Sequence, residues 1–296
     1  MDSITSALLD EWKAKVLRKT DVPYEAAIHS LSGPHPMVEI RQQTSSRWTF
    51  YHPGTNTVAV FSTCAVFSMS DDYYTGNLVP YGQKTPDAVM PERMEKFANY
   101  KCNYSYAFDT MHDKDLFHLQ NILEDYVCGL EDFNPERLPR REFQSGQDPS
   151  LTKRYWMRAP MFLRINKGEP KPRVPTFLHE WVVEADRRST IYSANPNRPS
   201  VLVLENGALK DIRKCESRTL VRGDVVVVTF TVSFVVGPAS WYPQFLPLEI
   251  VRVGNAPMQD LTDAAEYALP VVDVRTRPAL NDGEIIAGII EDGKCT

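Results

Sequence analysis

The sequence predicts a mixed α+β protein, with helices and a β-hairpin in the first half and a β-rich, barrel-like second half. Three observations carry this expectation. Apolar residues recur at helical spacing near the start and again around residues 116–126, while a valine-rich run at 225–236 alternates with a period of two. Nine prolines between residues 135 and 199 exclude a continuous helix there. With 296 residues, 43% apolar and 24% charged, the chain can bury a large core, which rules out disorder, collagen and coiled coil.

The elements follow in order. Ile4, Leu8 and Trp12, widened by Leu9, Val16 and Leu17, form the apolar stripe of a helix that ends before Pro23. Arg47 to Tyr51 and Thr57 to Phe67 are rich in Val, Phe and Thr and flank the turn-forming stretch His52 to Asn56, which predicts a hairpin. Pro91 suits the first turn of a short helix reaching Asn99. Asp113 can cap a longer helix in which Leu116, Leu119, Ile122, Leu123 and Tyr126 share a face up to Gly129.

Residues 142–149 read as a linker or exposed loop, and a boundary is placed near residue 150. Beyond it, strands are predicted at Met161 to Ile165, Glu180 to Glu184, Val201 to Leu204, Asp224 to Val236 and Leu248 to Val253. In the longest, Val226, Val228, Phe230, Val232 and Phe234 point to the core, with Thr229, Thr231 and Ser233 on the other face, more exposed or lining a groove. Asn206-Gly207 marks a tight turn, and Pro243 and Pro247 restrict the last strand to a sheet edge or to a start near Leu248.

The net charge of −5 is unevenly spread. Residues 1–150 hold 14 basic and 21 acidic side chains, residues 151–250 hold 15 and 9, and residues 251–296 hold 4 and 8. A basic segment inside an acidic chain attracts an anion or neutralises its own neighbours. The start lacks the basic and apolar pattern of a signal peptide, and the most apolar run is too short for a membrane helix, so no membrane partner is expected. Cys64, Cys102, Cys128, Cys215 and Cys295 are odd in number and widely spaced, which points to reduced thiols and a cytoplasmic or nuclear setting.

From Val201 to Gly254 the order is a strand with an Asn-Gly turn, a polar stretch, Arg222-Gly-Asp224, a long strand, a loop and Glu249-Ile-Val-Arg-Val-Gly254. This pattern resembles an OB-type module, a curved five-stranded barrel, and the resemblance implies one face open to single-stranded nucleic acid. Pro175 to Gly254, especially Trp181, Arg222-Gly-Asp224 and Glu249-Ile-Val-Arg252, is also similar to an uncharacterised fungal protein family, a likeness that implies no activity, cofactor or catalytic residue. The expected organisation is therefore an acidic mixed lobe at 1–150, a basic OB-like lobe at 151–255 and an acidic C-terminal segment at 256–296.

The candidate binding segment interleaves cations and rings: Lys153, Arg154, Tyr155, Trp156, Arg158, Arg164, Lys167 and Arg173. Cations neutralise phosphates while flat rings stack on bases, so this mixture is what a single strand requires. The bland alternative makes Tyr155 and Trp156 core residues flanked by solvated charge. Tyr100, Tyr104, Tyr106 and Phe108 offer either a recognition groove or ordinary core packing. Two other readings compete with nucleic-acid binding: a protein-interaction or self-associating module, and an enzyme whose dispersed site would include Asp113, Asp115 and His118. His179-Glu180 lacks the second histidine of a zinc protease, because position 183 is Val. Cys64 beside His52 lacks a third catalytic partner, and no motif calls for a cofactor or metal.

Overall fold

In the computed structural model, described over residues 4–78, 102–110, 113–141, 154–165, 170–174 and 178–257, one large sheet organises the chain. The predicted helix at 91–99, the linker at 142–149 and the segment beyond 257 lie outside the described residues. Before residue 150 the elements are α1 (Ile4–Lys13), β1 (Asp21–Pro23), α2 (Tyr24–Ser30), β2 (Glu39–Thr44), β3 (Arg47–Tyr51), β4 (Val60–Ser70), β5 (Asn103–Asp109) and α3 (Asp115–Cys128). After it come β6 (Arg154–Pro160), β7 (Phe162–Arg164), α4 (Glu180–Arg188), β8 (Tyr192–Ala194), β9 (Ser200–Glu205), β10 (Ala208–Asp211), β11 (Asp224–Val236) and β12 (Trp241–Asn255).

The mixed α+β class is correct, and the sheet is not closed into a barrel. Its path runs β10-β9-β12-β11-β4-β5-β6, with β1 beside β4 and β2-β3 attached to β11. The change of composition near residue 150 therefore falls between two neighbouring strands, since β5 and β6 pair along their whole length. Two long strands make this arrangement possible. The first part of β11, Val225 to Phe230, pairs with β4, and its last part, Ser233 to Val235, pairs with β3.

Several local expectations need correction. The expected hairpin between 47–51 and 57–67 forms only at its closed end, where Tyr51 bridges Val58 and the Ala59 amide donates to the Phe50 carbonyl at 2.9 Å; beyond it β4 leaves to lie along β11, and β3 pairs with β2 instead. Residues 180–184 are helical: the His179 ring caps the Trp181 amide at 3.2 Å, and Glu184 pairs with Arg187 and Arg188 three and four residues on. That local capping and charge pairing overrides the strand propensity of Trp-Val-Val. The last strand begins at Trp241 and accommodates both prolines, since β9 pairs only with Glu249 to Arg252 and leaves the earlier edge without that neighbour. Asn206 and Gly207 have φ of 51° and 75°, the left-handed pair that a two-residue hairpin turn requires.

The inner face of the sheet holds the main core, where Tyr24 packs edge-on to Phe230 at 5.2 Å and Phe61 at 5.6 Å. Val226, Val228, Phe230, Val232 and Phe234 are buried together there, as their alternation predicts. The opposite face of β11 is not exposed: Thr229 and Ser233 are buried, and only Thr231 is partly open. Strands flank β11 on both sides, and α1 covers its beginning, where Leu9 packs with Cys64, Val66, Val225 and Val227 in a second cluster.

Candidate nucleic-acid interface

Strand β6 sorts the basic segment by the pleat. Tyr155, Met157 and Ala159 point into the core, whereas Arg154, Trp156 and Arg158 project from the outer face. Tyr155 is fully buried and donates its hydroxyl to Gln120 Oε1 at 2.8 Å, so it departs from the expected binding set. Its neighbour Trp156 stays partly exposed, because its cross-strand partner on β5 is Ala107, a residue too small to cover an indole. The Arg158 guanidinium lies 5.9 Å from the Trp156 ring centre, and Arg154 donates to the Met69 sulfur at 3.2 Å.

The other predicted contacts are dispersed. Arg164 is exposed on the separate β7-β8 pair, and Arg173 is exposed in a stretch that belongs to no helix or strand. Lys153 and Lys167 lie outside the described residues. The structure thus brings together Arg154, Trp156 and Arg158 on one face of one strand.

Among the aromatic candidates, Tyr104, Tyr106 and Phe108 are buried on the inner face; Tyr100 lies outside the described residues. Burial pushes the Tyr104 phenol up to about 12, against the opposing pull of the Arg198 guanidinium. Arg198 lies 3.9 Å from the Tyr73 ring centre and Arg213 lies 5.5 Å from it, so these cations clasp the ring. Arg213 is itself held by Asp211, which makes this cluster a fastening between the 72–76 turn and the β10 end.

The dispersed-enzyme residues have another occupation. Lys13 of α1 reaches Asp113 at 2.9 Å and Asp115 at 2.5 Å, and a polar pocket of about 200 Å³ opens beside them. Burial works to lower the Lys13 pKa, but the two carboxylates outweigh it and hold the ammonium above its ordinary range. Burial also pushes the Asp113 carboxyl up, against the opposing pull of the Lys13 ammonium 2.9 Å away. His118 is exposed on the following turn. Among the described residues, no group of three or more His, Cys, Asp or Glu is placed to hold a metal.

This ion pair pins α1 over Cys64, whose thiol is pushed up to about 12 by burial. Lys13→Ala should destabilise the protein by roughly 1–3 kcal/mol, below the range for a fully buried pair because Asp115 is 52% exposed. The same variant should speed alkylation of Cys64, followed by mass spectrometry with the exposed Cys128 as reference. Unchanged alkylation would show that α1 is held by its apolar contacts alone.

The fold and the site define an α+β protein with a curled open sheet that carries a cation-flanked tryptophan on its outer face. Comparison with known protein families finds no matching family model, and comparison with curated proteins finds no match. No helix among the described residues is long and apolar enough to cross a membrane.

Proposed function

We propose that the chain is a non-catalytic binding protein that takes single-stranded nucleic acid on the outer face of β5 and β6. The observation that carries the reading is Trp156, partly exposed between Arg154 and Arg158 on alternate positions of one strand. A base stacks on the indole, and the flanking guanidiniums neutralise the phosphates on either side. We extend the proposal to an OB-type use of the strand face. The sheet curls far enough for Tyr155 of β6 to meet Phe245 of β12 at 5.7 Å, so a rolled sheet presents the strand face without full closure. The described cysteines are free thiols, which suits a cytoplasmic or nuclear protein.

The test is titration of labelled oligothymidine across a salt series. Affinity should fall with salt at a slope of roughly −0.7 per neutralised phosphate. Trp156→Ala should weaken binding by roughly 1–3 kcal/mol with little change in slope, and Arg158→Ala should make the slope shallower. Absence of binding by the wild type at low salt, or normal binding by folded Trp156→Ala, overturns the reading.

A further inference from the structure

At the other end of the same outer face, strands β2, β3, β11 and β12 pair side by side. Their register places Arg41, Thr49, Ser233 and Gln244 in one row across the four strands, and Arg47, Val235 and Tyr242 in the next. At the usual strand spacing the four strands span roughly 14 Å. Residues in register share a face, so both rows project to the outer side.

The chemistry of this face is uniform. Arg47 donates to Gln244 Oε1 at 2.9 Å and to Ser233 Oγ at 3.2 Å, which fixes the guanidinium across β11. Arg41 lies 4.3 Å from the Tyr51 ring centre and Arg141 lies 5.6 Å from that of Tyr242. Thr49 and Ser233 are short and buried, so they form a floor between the taller Arg and Gln side chains. The nearby acid Glu39 is paired with Arg41 at 3.2 Å. All three arginines come from residues 1–150, the part of the chain in which acids outnumber bases, so this concentration is a product of register rather than composition.

We infer that this face is a second contact surface for the same single-stranded nucleic acid, with Arg47 and Arg141 on its phosphates and Tyr242 beside a base. The inference rests on the proposed single-strand reading and extends its footprint. Charge complementarity selects the occupant: arginine forks beside aromatic rings on a polar floor match an anionic backbone with flat bases, and the floor offers little apolar area to a protein partner. The two surfaces lie on the same side of the sheet, separated by the apolar patch that α1 covers.

The experiment compares Arg47→Gln/Arg141→Gln, Gln43→Glu and Trp156→Ala with the wild type in titrations of short and long oligothymidine. Gln43 is exposed and its Oε1 accepts the Thr49 hydroxyl at 3.0 Å, so a glutamate keeps the acceptor while adding negative charge to the face. The double variant should reduce the salt slope by about 1.4, two phosphates' worth, on the long strand and change little on the short one. Gln43→Glu should weaken binding to the long strand with an unchanged melting temperature, which keeps the test decisive if the double variant folds poorly. If Trp156→Ala weakens binding while both arginine-face variants bind both lengths normally, the second surface is wrong and the single-strand reading stands. If the arginine-face variants weaken binding and Trp156→Ala does not, the first surface is wrong and the second is the binding site. A wild type that binds neither oligonucleotide overturns both.

Discussion

Phe230→Ala should lower the unfolding free energy by roughly 3–5 kcal/mol, measured by denaturant titration. Phe230 is fully buried and stands where four rings converge: Tyr24 at 5.2 Å, Phe61 at 5.9 Å and Phe245 at 5.9 Å, with Tyr155 touching the last of these at 5.7 Å. These rings come from the start of α2, from β4, β11, β12 and β6, so the vacated space would open between elements from both halves of the chain. Strands paired on both sides of β11 cannot close around that space without breaking register. Phe230→Leu, which retains most of the volume, should cost much less, roughly 1–2 kcal/mol. A loss below about 1 kcal/mol for Phe230→Ala would show that this aromatic centre is loosely packed.

The buried side of β11 was legible because a period-two run of β-branched and aromatic residues constrains the backbone and the direction of the core together. Its other side was not. Thr229 and Ser233 look like residues facing water, but what covers an outer face depends on the strands and helix that arrive there, and α1 lies more than two hundred residues away in sequence. The same blindness affected Tyr155 and Trp156. Adjacent aromatic residues on a strand must point to opposite sides, but which side is core follows from pairing with β5. For Glu180 to Glu184 the decisive signals were present, in the capping histidine and the Glu184-Arg187-Arg188 spacing, and were outweighed by apparent strand propensity. The arginine face had no local signal, because Arg41, Arg47 and Arg141 meet only through the β2-β3-β11-β12 register and the bridge from Arg140 to Trp241.

That bridge leads to the second large effect. Arg140 donates through Nη2 to Glu124 Oε1 at 2.8 Å and through Nε to Oε2, while Gln120 Nε2 donates to Oε1 at 2.7 Å and accepts Tyr155 through its own oxygen. The carboxylate is thus held between α3 and the 139–141 segment, with side-chain exposures of only 19% for Arg140 and 10% for Glu124. Arg140→Met should cost roughly 3–5 kcal/mol, because it leaves a buried carboxylate with one neutral donor in place of a guanidinium fork. Adding Glu124→Gln to the same chain should recover more than half of the loss: the neutral amide still accepts from Gln120 and leaves no charge to desolvate. If the double variant is as unstable as Arg140→Met at neutral pH, the guanidinium matters through its packing on Trp241, whose ring centre lies 6.0 Å away, rather than through the charge it compensates.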